Sequence, residues 1–262
     1  MTTMTSALRG TVVWGGYRVW QRNRDVFLRA WVLDTGGLVV EPFFIVLAMA
    51  FGLGLYIDNI DGLSYGNFVA PGILAGYAMY HSSFDQTFGA YLRLETHHIY
   101  DAILFTPLGP SDIVLGEILW GSTRSIMSGT AVLVVAAIFG LIGSPLAILA
   151  LPVAWLIGLT FACIGMTITA SVKSLGAIEN YFTVILTPLF MFSGIFFPLD
   201  QLPVGVQVVS WLLPLTPGVE LIRALFTGDT SGWMALWALE LVGYSAVFYL
   251  LATRLMRKRL IK

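Results

Sequence analysis

Ionisable side chains are scarce along most of this chain, so each is a candidate for chemistry. Glu41 stands before Pro42 in one apolar run, and Asp85 lies within the next. Glu117 and Arg124 share a third, Glu179 opens a fifth, and Glu240 lies in the last. A charge in an apolar run is costly, and marks either a functional site or a pairing. Glu117, Arg124 and Glu179 suit interfacial snorkelling or pairing. Glu41 and Glu240 suit an interhelical hydrogen bond as well as a substrate contact. No series of acids along one helix suggests a proton relay. Glu95, His97, His98 and Asp101 form the one metal-like cluster. His97 and Asp101, four apart, would share a helix face while His98 points elsewhere. Without a further His or Cys nearby the set is a poor metal centre. Cys163 has no second cysteine to pair with.

Other chemistries are excluded by pattern. The chain has no G-x-x-x-x-G-K-[ST], no H-E-x-x-H and no G-x-S-x-G. It is not expected to bind ATP, a cofactor or a metal, and it is not expected to be an enzyme. It offers no basic, aromatic-interleaved surface for nucleic acid. Energy for any active process must come from a partner or an ion gradient.

The elements that position these residues are membrane helices. Hydrophobic residues make up 57% and charged residues 11%, against about 45–50% and about 25% in soluble domains. From Ser125 to Val172 there is no formal charge. At about 20 residues per crossing that stretch holds two spans, divided by the turn Gly143-Ser144-Pro145. Six spans are predicted: Trp31 to Tyr56, Asn67 to Leu92, Ile113 to Ile142, Leu146 to Val172, Ala177 to Phe197 and Trp233 to Leu255. Strands of a barrel would instead show short alternating segments.

Basic residues orient the spans. Arg9, Arg18, Arg22, Arg24 and Arg29 precede the first, Arg93 and Lys173 fall in two loops on the same side, and Arg254, Arg257, Lys258, Arg259 and Lys262 follow the last. The opposite side holds Asp58, Asp61, Asp200 and Asp229, with Arg223 as its basic residue. The positive-inside rule places both termini in the cytoplasm. Ala48-Met49-Ala50 resembles a signal cleavage site, but the region before it is too long and Glu41-Pro42 interrupts it.

Three segments flank the spans. Between Leu8 and Phe27, Leu8, Val12, Tyr17, Val19 and Trp20 stand among Arg9, Arg18, Arg22 and Arg24. This suits a helix lying in the headgroup layer, or a basic anchor that only fixes topology. Between Leu92 and Glu117, Ile99 to Phe105 reads as a short amphipathic helix, ended by Thr106-Pro107 and Gly109-Pro110. It would be a docking knob for another protein, or simple packing under the bundle. From Phe190 to Phe226 an apolar span runs into short, proline-punctuated pieces. Non-helical chain at membrane depth survives only when buried in protein or lining a cavity. That makes the segment a pointer to a transport path; the plainer reading is an ordinary outer loop with surface helices. Aromatics make up 13% of the chain, and most are expected to face lipid or core. Gly158 and Ala162, four apart, allow close helix packing.

FSGIFFPLDQLP (Phe192 to Pro203) followed by PLTPGVELIR (Pro214 to Arg223) resembles the membrane subunit of type-2 ABC exporters. Within that family the chain looks like the NodJ-like lipo-oligosaccharide exporter permeases. EPFFIVLAMAFGLGLY (Glu41 to Tyr56), FVAPGILA (Phe68 to Ala75) and YDAILFTPLGPSDIVLGEILW (Tyr100 to Trp120) support it, and the resemblance covers essentially the whole chain. One departure is Pro217, where related sequences often carry a polar or histidine residue.

The resemblance implies an all-α integral membrane protein. Six transmembrane helices would follow an N-terminal amphipathic interface helix, with a short re-entrant helix pair before the last span. One domain would cover 1–262, with the interface helix at 1–30, a coupling loop at 93–112 and a re-entrant segment at 198–230. Tyr100, Asp101, Leu104 and Phe105 would couple to an ATPase. Glu41, Tyr181, Phe192 and Phe196 would line the substrate path. Pro198, Asp200, Pro203, Pro214, Glu220 and Arg223 would build the re-entrant segment, with Glu220 and Arg223 as structural partners. Two copies and two ABC ATP-binding subunits, which bind the ATP and Mg, would work together in the bacterial inner membrane. The cargo would be an amphipathic glycolipid, lipo-oligosaccharide or lipid-linked polysaccharide. Alternatives are a multidrug or antibiotic exporter, an integral-membrane enzyme on lipids, and an ion-coupled carrier. The enzyme would group its acids at one face, and the carrier would show interrupted helices in both halves.

Overall fold

The computed structural model describes residues 2–57, 59–60 and 62–261, with only the backbone of residues 2–12 and 32–35. Asp58 and Asp61, Lys262, and the side chains of Leu8, Arg9 and Val12 lie outside the described residues. Helix α1 spans Thr2–Leu47, and a hairpin of two short strands, β1 (Asn59–Ile60) and β2 (Leu63–Ser64), leads to α2 (Tyr65–Phe84). The short α3 (Ile99–Leu104) precedes α4 (Pro110–Ile138) and α5 (Ala150–Ser171). Then come α6 (Leu175–Tyr181), α7 (Thr187–Phe192), α8 (Val204–Trp211), α9 (Leu215–Thr227) and α10 (Trp233–Leu260). Helices α6 and α7 are halves of one helix, joined by a wider turn at Phe182–Leu186.

Among the described residues five helices are long and apolar enough to cross a membrane: Gly36–Leu55, Pro110–Ile138, Pro145–Ser171, Leu175–Phe192 and Trp233–Leu260. Helix α2 is the central helix, with 16 of its 20 residues buried. Its neighbours cover most of it, so it carries Ser82 and Ser83 without exposing them to lipid, and Asn67 and His81 half-buried. Together these make the expected all-α bundle of six. The bent pair before the last helix is also present, α8 and α9 meeting at 84°.

Helices approach closely where side chains are small. Gly158 of α5 lies against Ser125 of α4, and Ala162 against Gly121. The Ser82 hydroxyl of α2 donates to the Gly158 carbonyl at 2.6 Å, so three helices meet at one glycine. The Thr160 and Ser245 hydroxyls, 2.9 Å apart, join α5 to α10. Hydroxyls bonded across or along helices satisfy polar groups that lipid could not.

Two boundaries differ from expectation. The interface helix foreseen over 1–30 is not a separate element, because α1 continues unbroken to Leu47. No proline stands between Trp14 and Glu41 to remove a backbone donor, and α4 packs against the helix between Gly15 and Phe27. Gly15 and Gly16 face Asp112 and Leu115, and Val19 packs on Gly116. The Trp20 indole donates to Thr123 Oγ1 at 2.9 Å. The fifth span stops at Phe192 instead of Phe197, and Gly194, at φ +77°, turns the chain out of the helix. A glycine adopts that left-handed conformation without steric cost.

Candidate functional site

The two ends of the bundle are built differently. At one end α3 projects from the loop between α2 and α4. His98 enters it with φ +51°, and its Nδ1 lies 3.2 Å from Asp101 Oδ2. The Thr106 hydroxyl closes the far side on the Ile103 carbonyl at 2.6 Å. Phe105 is 92% exposed, Asp101 is exposed and Leu104 is half-buried. Tyr100, grouped with these by sequence, is fully buried instead. Its ring sits among Ile113, Val114 and Ile118, and its hydroxyl is turned to Arg93 and Glu117. It is therefore an anchor of the loop and not part of its surface.

Beneath α3 lies a buried ion network. Arg93 Nη2 is 2.8 Å from Glu117 Oε2 and 3.1 Å from Asp85 Oδ2. Gln86 Nε2 donates to the Glu117 carbonyl at 2.8 Å and to Asp85 at 3.0 Å. Asn23 and Arg22 of α1 approach Glu117 from the other side. Asp85 and Gln86 stand on a wider helical turn, Asp85–Gly89, that continues α2. Such turns recur at functional sites because they re-aim side chains. Burial works against the Arg93 charge, but Glu117 and Asp85 outweigh it and hold the guanidinium well above its ordinary value. Burial, with Glu117 beside it, likewise pushes the Tyr100 phenol well above its usual range. The α3 loop is thus tied to α1, α2 and α4 through this network. A second tie runs from Arg259 at the end of α10, which donates to the Thr169 carbonyl and pairs with Glu95 at 2.8 Å.

At the opposite end the chain is held by backbone carbonyls. Arg223 Nη2 donates to the Gly194 carbonyl at 2.5 Å, Nη1 pairs with Glu220, and the guanidinium lies 4.1 Å from the Phe68 ring centre. Glu220 and Arg223 are therefore structural partners. The Ser210 hydroxyl donates to the Phe192 carbonyl at 2.8 Å, and Thr216 to the Ser210 carbonyl at 2.6 Å. Pro203 and Pro214 stand at the starts of α8 and α9, where a missing N–H costs nothing. Pro217 also falls in the first turn of α9, and Thr216 makes the side-chain hydrogen bond of this corner. Pro198 is buried and Asp200 is exposed in a short turn, its carbonyl accepting from Gln207 at 3.1 Å.

Two hollows lie between the first and fifth crossing helices. A cavity of about 190 Å³ is lined by Glu41, Tyr77, Tyr80, Leu186, Thr187 and Phe190. A wider one, about 610 Å³, lies at the bent-pair end against Tyr65, Phe196, Phe197 and Pro198. The four residues expected to line a path are therefore divided. Glu41 lines the first hollow and Phe196 the second. Phe192 is 42% exposed on the outside, and Tyr181 is packed inside against Phe182. Sequence reasoning missed Tyr77, Tyr80 and Phe190 as cavity residues. Tyr77 and Tyr80, three apart on one helix face, carried a readable signal. It also missed Asn23 and Gln86 in the network, although buried amides in apolar helices suggest partners. His97 and Glu95 are exposed, and no metal-holding group of His, Cys, Asp or Glu occurs among the described residues.

The ABC-2 type transporter family matches residues 17–227, which contain the α3 loop, the ion network and the bent pair. The chain belongs to this family. It is 34% identical over 244 residues to nodulation protein J of Rhizobium leguminosarum bv. viciae, covering 93% of this chain and 94% of the relative. Nodulation protein J of Sinorhizobium fredii is 34% identical over 248 residues, 95% of both chains. The inner membrane transport permease YadH of Escherichia coli is 25% identical over 248 residues, covering 92% and 93%. This ABC-2 family chain is accordingly a multi-pass membrane protein and a transport subunit.

Proposed function

We propose that the chain is the permease subunit of an ATP-driven exporter for an amphipathic cargo such as a lipo-oligosaccharide or other glycolipid. The observation that carries this reading is α3. An exposed Phe105 and Asp101 are displayed on a loop anchored by a buried ion network to three crossing helices. A rigid anchor lets force applied at the tip move the helices, whereas a loose loop would absorb it. The applied force would come from a separate ATP-binding subunit, since this chain has no P-loop. Likeness to nodulation protein J over nearly the full length supports the cargo class. The distribution of basic residues supports a cytoplasmic side for the α3 end and both termini, and the membrane would be a bacterial inner membrane. Two copies with two ATP-binding subunits would place the Glu41–Tyr77–Tyr80 cavity and the Phe196 hollow on the cargo route. A carboxylate and tyrosines suit sugar hydroxyls and ring faces, and apolar walls suit acyl chains.

The test is co-purification with a candidate ATP-binding subunit and ATPase assay in nanodiscs. A stable complex whose activity falls several-fold in Asp101→Lys, and rises with lipid-linked saccharide, is expected. Purification of the chain alone, with no partner and no effect of the loop variant, would overturn the reading. Stimulation by hydrophobic drugs but not by saccharides would move it to a multidrug exporter.

A further inference from the structure

Glu240 is the one acid of α10, and the next charge on that helix, Arg254, stands about 21 Å further along its axis. Its side chain is half-buried. One turn before it, Trp237 stacks on Trp211 of α8 with ring centres 6.3 Å apart. One turn after it, the Tyr244 hydroxyl donates to the Leu212 carbonyl at 2.6 Å. Positions 237, 240 and 244 share a helix face, so Glu240 lies between these two contacts, where α10 meets the end of α8. Tyr244 is its titratable neighbour. Among the described residues no group donates a hydrogen bond to the Glu240 carboxylate or forms an ion pair with it. The surrounding helices bring no cation. Helices α5 and α8 carry no charged residue, while Arg124 of α4 and Arg223 of α9 are turned to Phe27 and Gly194. The surface around the carboxylate is apolar: Val208, Leu212, Leu236 and Leu239 are each more than half exposed. Gly243, three positions on, leaves open space where a side chain would stand.

We propose that Glu240 and the Trp211–Trp237 pair bind the primary ammonium headgroup of a membrane lipid in the leaflet at the bent-pair end. A charge among apolar helices is costly unless it is paired, and here the protein supplies the acid without the base. A primary ammonium brings the opposite charge and N–H donors for the carboxylate oxygens. Tryptophan is the best aromatic partner for a cation, and the stacked pair stands one turn from the carboxylate. Membrane tryptophans sit at headgroup level, and a long side chain in a helix points back toward the N-terminus. The Glu240 carboxylate is thereby carried toward Trp237 and the headgroups. The end of α8, whose partial charge is negative, favours a cation at the same place. The exposed leucines and the open space at Gly243 give acyl chains a surface, which a free amine would not use. A lipid seated here would bridge α8 and α10. The inference does not depend on the transport reading.

The experiment uses the full chain, purified in detergent and stripped of lipid. Dioleoyl phosphatidylethanolamine, phosphatidylcholine and phosphatidylglycerol are added at equal ratio, and retention is read by native mass spectrometry. Phosphatidylcholine keeps the cation but has no N–H, and phosphatidylglycerol has no amine. Phosphatidylethanolamine should be retained about threefold more than either, the scale of one exposed ammonium contact. Glu240→Gln should remove most of that preference and Glu240→Asp keep part of it. Glu179→Gln, an exposed acid at the α3 end, should leave it intact. Should Glu240→Gln fail to fold, competition on the wild-type chain decides: dodecylamine should displace phosphatidylethanolamine and dodecanol should not. Equal retention of the three lipids, or equal loss in Glu240→Gln and Glu179→Gln, would overturn the proposal. Displacement by ethanolamine as readily as by dodecylamine would overturn the lipid assignment. So would a dimer that dissociates in Glu240→Gln, because the carboxylate would then be held by a second copy.

Discussion

The α3 end and the bent-pair end solve the same problem with different interactions. Each must hold a short helix that packing alone secures poorly. At the α3 end the solution is charge: Arg93, Asp85 and Glu117 pair inside the protein, with Gln86 and Tyr100 completing the set. At the bent-pair end the solution is capping: Arg223, Ser210 and Thr216 donate to carbonyls that a broken helix leaves open. The difference follows from what each end lacks. Prolines and a left-handed glycine break the backbone at the bent pair, so carbonyls need donors. The α3 loop keeps most of its helical turns, and what it needs is a fixed position between three helices. Breaking a buried ion pair leaves an uncompensated charge, so the pair holds the loop in place. The capping donors instead satisfy carbonyls where the helices break.

The largest effect should come from Glu117→Ala, which leaves Arg93 buried without its main partner. A loss of about 3–5 kcal/mol is expected, read by reversible denaturation in micelles. Adding Arg93→Met should recover much of it, and no recovery would show that the residues act independently. Next, Arg223→Ala removes the bond to Gly194 and the contact with Phe68, costing about 2 kcal/mol. Faster labelling of a cysteine placed at Gln201 should accompany it. Unchanged labelling would mean that the turn at Gly194 holds without the arginine. Glu95→Gln tests the peripheral tie to Arg259, whose acid is 45% exposed. About 0.5 kcal/mol is expected, vanishing in high salt, and a larger effect would make α10 part of the joint. The smallest change in stability, within about 0.5 kcal/mol, should come from Phe105→Ser, because the ring packs on nothing. Partner-dependent ATPase activity should nonetheless collapse. Full activity in that variant would remove α3 from the contact with the ATP-binding subunit.

Much of the architecture was legible because lipid imposes simple rules. Uncharged runs of the right length must be helices, and proline-glycine punctuation at Thr106-Pro107 and around Pro203 and Pro214 must interrupt them. The small-residue pair Gly158 and Ala162 gave a helix contact that the structure contains. The site was less legible. Tyr100 sits between exposed His98 and exposed Asp101 in sequence, but a single helical turn of α3 carries it inward. Glu41 and Phe196 could be named as lining residues, yet Tyr181 beside them in the same argument is core. An aromatic in an apolar helix reads the same whether it faces lipid, cavity or core.

By itself the sequence determined that this chain crosses a membrane repeatedly as helices, where they break, and that it carries no P-loop motif. These follow from hydrophobicity, turn chemistry and motif, which are local properties. Only the tertiary structure decided that α1 lies along α4 without a break, and that α2 is the enclosed centre of the bundle. It also joined Arg93, Asp85 and Glu117, which are up to 32 positions apart, into one buried network. Pairing across helices depends on rotation and crossing of whole elements. Those are set by the sum of many small contacts, such as Gly158 on Ser125 and Val19 on Gly116, that no single segment encodes.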